Sequence, residues 1–164
     1  MVKKLITLVA ILATIPLAAE ESAPGHGAEH HAIHHHGAIF MGTTHSFYAE
    51  HTDFTLGLEY ELRFSDRIGA GLFGEMVFAA HQEQLVGIPL IVHFHNLKLF
   101  AGPGMVFIQA EHHGHKETHS EFLVRTGAGY DIHLGNASIS PTFSLDFING
   151  HLYAVPGIGF GLGF

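Results

Sequence analysis

The chain has 164 residues, no cysteine, 17 histidines against seven Lys and Arg, and a formal charge of -8 with histidine neutral. An acidic balance of this kind argues against nucleic acid as a partner, and the missing cysteines exclude both a disulfide framework and a lipid-modified anchor cysteine. Only 13% of residues are charged, yet no uninterrupted apolar run approaches the ~20 residues of a spanning helix, which excludes a helical membrane anchor.

Lys3 and Lys4, an apolar run over 5–17, and the small pair Ala18-Ala19 read as a secretory signal peptide, residues 1–19, cut after Ala19. Removing it takes away two lysines, moves the formal charge from -8 to -10, and leaves all 17 histidines in the exported part. Since histidine titrates near pH ~6.5, mild acidification can reverse the sign of the protein's charge.

Residues 20–37, EESAPGHGAEHHAIHHHG, have low complexity and no useful apolar period. They are expected to form a flexible, His-rich periplasmic segment. From Ala38 onward the pattern changes to a period of two. Phe54, Leu56, Leu58, Tyr60, Leu62 and Phe64 form one file, and Thr55, Gly57, Glu59, Glu61 and Arg63 form the other. The alternation predicts strands at 38–49, 54–65, 68–80, 84–95, 97–110, 120–134, 137–148 and 151–164. Eight is an even number, as a single-chain bacterial barrel requires. In the first strand the phase stays open, because Phe40, Gly42, Thr44 and Ser46 or Ile39, Met41, Thr43 and His45 can face outward.

Short connections at 65–67, 95–96 and 135–136 suit the periplasmic end, and those around 50–53, 81–83, 111–119 and 149–151 the outside. Pro89, Pro103, Pro141 and Pro156 fall inside strands, where bulges, above all at Gly102-Pro103-Gly104, are expected to accommodate them. A secreted barrel of the lipocalin kind would turn the greasy files inward. Its water-facing surface would then be files such as Tyr153, Val155, Gly157, Gly159, Gly161 and Gly163, a poor aqueous coat but a sensible lining for a narrow lumen. The residues therefore favour an all-β, eight-stranded, antiparallel up-and-down transmembrane β-barrel over 38–164.

At this point the chain resembles the small outer-membrane β-barrels of Gram-negative bacteria, the OmpA-type transmembrane domain and its eight-stranded relatives. The resemblance covers 38–164, and its most specific part is the C-terminal stretch Phe160-Gly161-Leu162-Gly163-Phe164. It implies an outer-membrane location, membrane lipid as surroundings, and Phe160, Leu162 and Phe164 as a signal read by the barrel-assembly machinery. It does not choose among pores, adhesins, enzymes and plain structural barrels.

The inward files carry Glu59, Glu61, Arg63, Glu75, His93, Lys98, Arg125, Asp131, His133 and Asp146. Isolated charges in a narrow lumen are too costly, so these are expected to pair in a network that plugs the barrel or to line a narrow polar path. Histidines cluster at His30, His31, His34, His35 and His36 and again at His112, His113, His115 and His119 with Glu111 and Glu117 nearby. Imidazole is a ligand for Zn, Cu and Ni, so metal binding or sequestration through these clusters is the second reading, although no cofactor is required by the fold. Thr44-His45-Ser46 is the nearest approach to a catalytic triplet and lacks an acidic partner, so no enzyme activity is expected. The function expected from the residues is thus a small structural barrel or narrow pore, as a monomer.

Overall fold

The computed structural model describes residues 34–79, 82–112 and 115–164, with the backbone alone for 110–112 and 115–117. Residues 1–33, which hold the expected signal peptide and most of the expected flexible segment, lie outside the described residues. The strands are β1 His34–Ser46, β2 His51–Arg63, β3 Ile68–Phe78, β4 in two segments Gln82–Gly87 and Leu90–Phe94, and β5 Leu97–His112. They continue as β6 in two segments His115–Tyr130 and Ile132–Leu134, β7 Ala137–Ile148 and β8 His151–Gly163.

Each strand pairs antiparallel with its sequence neighbours, and β1 also pairs with β8, so the sheet closes on itself. Ile39, for example, lies opposite Leu58 of β2 and Phe160 of β8. Closure gives every strand two partners, which is the condition for strands to cross a hydrocarbon layer without unpaired edges. The all-β, eight-stranded antiparallel barrel expected from the alternation is the observed fold.

Three local expectations change. The first strand begins at His34, inside the segment expected to be flexible, because His34–Gly37 continue the ladder opposite Arg63, Leu62, Glu61 and Tyr60 of β2. Histidines at a barrel rim carry no apolar alternation, so the pattern hid this last turn of pairing. Next, the open phase of β1 is decided: Ile39 and Met41 are exposed, while Phe40, Thr44 and Ser46 are buried. The Phe40 ring lies over Gly42 and Gly157, where a Cβ would collide with it, so only these glycines let an aromatic ring enter the lumen here. Finally, no bulge forms at Pro89 or Pro103. Gly87 opposes Gly104 and Leu90 opposes Ala101 with no residue inserted between them. The ladder instead opens for Ile88 and Pro89, with Ile88 N–H donating to the Pro103 carbonyl at 3.0 Å and Gly71 N–H donating to that of Pro89 at 2.8 Å.

Outside, Leu56, Leu58, Leu72, Leu90, Leu99, Val124, Phe143 and Ile158 are exposed along the middle of the strands. Phe64, Phe94 and Tyr130 flank this band at the end that carries His34 and Gly163, and Phe47, Phe54, Phe78, Phe122 and Phe147 flank it at the far end. An apolar band between two aromatic girdles is the outer surface a membrane requires. The far-end turn Asn149-Gly150 has both φ values positive, 49° and 82°, the geometry an Asn-Gly hairpin turn supplies.

Candidate functional site: the charged lumen

Strand alternation sends Glu59, Glu61 and Arg63 of β2, Glu75 of β3, His93 of β4, Lys98 of β5, Arg125 and Asp131 of β6, and Asp146 of β7 into the barrel. They sort into two groups along the axis.

The central group is built on Arg125. Its Nε and Nη2 donate to Asp146 Oδ1 and Oδ2, both at 2.7 Å. Nη2 also donates to Glu75 Oε2 at 2.8 Å, and Nη1 donates to Glu75 Oε1. The guanidinium carbon sits 4.1 Å from the centre of the Phe73 ring. Fork-to-fork pairing of a guanidinium with two carboxylates uses its planar donor geometry fully. Arg125, Glu75 and Asp146 are 4%, 5% and 0% exposed, so water does not screen them.

The second group lies toward the end that carries the strand termini. His93 Nε2 is 2.6 Å from Glu61 Oε1, and Arg63 Nη2 is 3.3 Å from His93 Nδ1. Arginine can only donate, so Nδ1 accepts and the ring proton sits on Nε2, facing the carboxylate. Arg63 Nε adds a 3.2 Å contact to Glu61. Beside this trio, Ser140 donates to Asp131 at 2.6 Å, Lys98 Nζ lies 3.5 Å from the same carboxylate, and His36 Nε2 is 2.8 Å from Ser138 Oγ. His133 faces Ser138 in the ladder but is exposed at the rim.

Between the groups lies a cavity of about 40 Å³ lined by Glu59, Glu61, Glu75, Lys98 and Arg125 together with Phe40, Phe73 and Phe100. It has room for about three water molecules. Glu59 contributes to its wall and, among the described residues, makes no hydrogen bond or ion pair with another side chain. On the far side of Arg125, Val77, Leu85, Val106, Leu123 and Ile148 pack together above Phe73, and Thr44, Thr55 and Ser46 of β1 and β2 are buried there as well. Among the described residues no fully buried side-chain polar atom lacks a hydrogen-bond partner.

Glu59 and Glu75 stand on adjacent strands, but the guanidinium of Arg125 takes Asp146 and not Glu59 as its second acid. His36 is a lumen residue that the alternation could have found by counting back from Phe40 through Ala38. The histidine clusters are dispersed by the same alternation. His35 Nδ1 is 2.6 Å from the Tyr60 hydroxyl while His36 enters the lumen, so these neighbours cannot share an ion. His34 and His119 are exposed; His30, His31 and His113 lie outside the described residues, and His112 and His115 are described in backbone only. Among the described side chains no three His, Asp or Glu groups stand together as metal ligands. The Thr44-His45-Ser46 triplet is split between faces: Thr44 bonds Thr55 at 2.7 Å inside, and His45 bonds Thr52 at 2.9 Å outside.

An apolar outer belt around a side-chain-filled lumen defines a small closed β-barrel of the outer-membrane type. Over 79% of its length the chain matches the N-terminal β-barrel domain of Pseudomonas aeruginosa OprF, covering 97% of that chain at a TM-score of 0.63 and 15% identity. It matches Ail, the attachment invasion locus protein of Yersinia pestis, in complex with the heparin analogue sucrose octasulfate. That match has a TM-score of 0.59 and 12% identity, over 80% of this chain and 99% of that one. Neisserial surface protein A matches at 0.52 and 11%, over 80% and 97%. No family model and no curated protein matches the chain. At these identities the likeness is one of fold.

Proposed function

We propose that the protein resides in the outer membrane as a small structural barrel whose lumen does not conduct ions. One observation carries this reading: Arg125 spans the lumen to Glu75 and Asp146, and directly above it Val77, Leu85, Val106 and Leu123 are at most 2% exposed. A hydrated path needs open space along the axis, and this one is closed first by a fully paired ion cluster and then by close-packed side chains, the apolar cluster of Val77, Leu85, Val106 and Leu123 on one side and buried Thr44, Thr55 and Ser46 on the other. The end with His34 and Gly163 faces the periplasm in this reading, and the signal peptide read from residues 1–19 provides the export.

The polysulfate that the Ail structure holds is not carried over to this chain. Past the signal peptide there are five Lys and Arg: Arg63, Lys98 and Arg125 stand in the lumen, Arg67 in the β2–β3 turn, and Lys116 alone in the far hairpin. A single cation is a weak attractor for a polyanion. Single-channel recording of the purified protein in planar bilayers tests the proposal: silence is expected from pH 5 to 8, where histidine changes charge. Discrete openings of the unmodified barrel would overturn it.

A further inference from the structure

From the level of Arg125 to the end that carries His34 and Gly163, the lumen holds more acid than its bases balance. Among the described residues five carboxylates stand there, Glu59, Glu61, Glu75, Asp131 and Asp146, against three permanent cations, Arg63, Lys98 and Arg125. Each cation has its acid. Arg125 is held by Glu75 and Asp146, Lys98 stands 3.5 Å from Asp131, and Arg63 is 3.2 Å from Glu61. The histidines do not close the gap: Arg63 donates to His93 Nδ1, which leaves that ring neutral, and His36 has the uncharged Ser138 hydroxyl at 2.8 Å. One negative charge is therefore left on the Arg125 cluster and a second on Glu59. Glu59 and Glu75 both line the cavity of about 40 Å³. Glu59 is enclosed by protein, and among the described residues its carboxylate makes no hydrogen bond or ion pair with another side chain.

We propose that the cavity beside Glu59 binds one monovalent cation of the potassium or ammonium kind. An enclosed carboxylate without a counter-charge is costly, and a bound cation removes that cost. The cavity has room for the ion to keep part of its water, and the rings of Phe40 and Phe100 in the wall attract a cation that sheds the rest readily. A divalent metal fits less well, because it needs several converging oxygen ligands. Among the described residues no three Asp, Glu or His side chains stand together in that way. Lys98 and Arg125 also line the cavity, but each is engaged by its own acid, so they reduce the surplus without removing it. The ion enters from the end that carries His34 and Gly163, past Arg63, whose side chain is 26% exposed, and it stops at Arg125. Binding therefore requires no conduction through the barrel.

The test is urea unfolding of the full exported chain in lipid vesicles near neutral pH. Potassium chloride is compared with N-methyl-D-glucamine chloride, whose cation is too large for the cavity, at equal ionic strength and on both sides of the membrane. The stability of the unmodified barrel should rise with potassium and saturate, the folded-to-unfolded ratio growing about elevenfold at ten times the half-saturating concentration. Glu59→Gln removes the surplus charge and the ion together, so its stability should be the same in both salts. Asp66→Asn, in the exposed turn between β2 and β3, should keep the full response. Equal stability of the unmodified barrel in the two salts overturns the site, as does a potassium response that survives in Glu59→Gln or is lost in Asp66→Asn. An infrared band of a protonated carboxyl near neutral pH that disappears in Glu59→Gln puts a proton in place of the ion and overturns it as well.

Discussion

Arg125 and Glu75 meet across the lumen although two whole strands, β4 and β5, separate the strands that carry them. With Asp146 held on the adjacent strand β7, one guanidinium ties three strands together through the barrel interior. Two buried acids around one buried base make the base the more costly to lose.

Arg125→Met should therefore destabilise the barrel by about 3–5 kcal/mol, because it leaves two facing carboxylates without a counter-charge. Glu75→Gln should cost less, about 1.5–3 kcal/mol, since Asp146 still compensates the guanidinium. Urea unfolding in lipid vesicles measures both. Equal losses for the two variants would show that Arg125 is not the shared centre.

Glu59 lines the small cavity and, among the described residues, is not part of the Arg125 ion cluster, so replacing it should be tolerated where replacing Glu75 is not. Glu59→Gln is expected to change stability by less than about 1 kcal/mol. The same unfolding assay decides, and a loss as large as that of Glu75→Gln would mean that Glu59 belongs to the paired network.

Gly157 leaves the space that the Phe40 ring fills. Gly157→Ala should cost about 1–3 kcal/mol through overpacking, and Phe40→Leu in the same chain should recover part of it. A double-mutant cycle reads the coupling; additive effects would show that the ring has room to move.

Phe164, at 55% exposure, follows the last ladder residue, Gly163, and contributes little buried surface. If Phe160, Leu162 and Phe164 act as the assembly signal that the resemblance implies, deleting Phe164 lowers the heat-modifiable barrel recovered from outer membranes. The purified variant should lose no more than about 1 kcal/mol, as for a surface change. Full recovery in cells would remove the signal role.

The period-two files of Phe54 to Phe64 and Ile158 to Phe164 were sufficient to define a barrel with its greasy face outward. That inference needs only local geometry: side chains alternate on a strand, and a face with no charge must avoid water. The same alternation put Glu61, Glu75, His93, Lys98, Arg125, Asp131 and Asp146 inside. It failed where side chains give no apolar contrast, at His34–Gly37, and where two files are equally plausible, around Phe40. Only closure of the barrel decided the rest. The choice of Asp146 and Glu75 for Arg125, the exclusion of Glu59 from that cluster, the inward turn of Phe40 over Gly157 and the pairing of His112 with His115 all depend on which strands become neighbours and in what register. Those relations join residues more than a hundred positions apart, as His36 to Ser138 shows, and no local period encodes them.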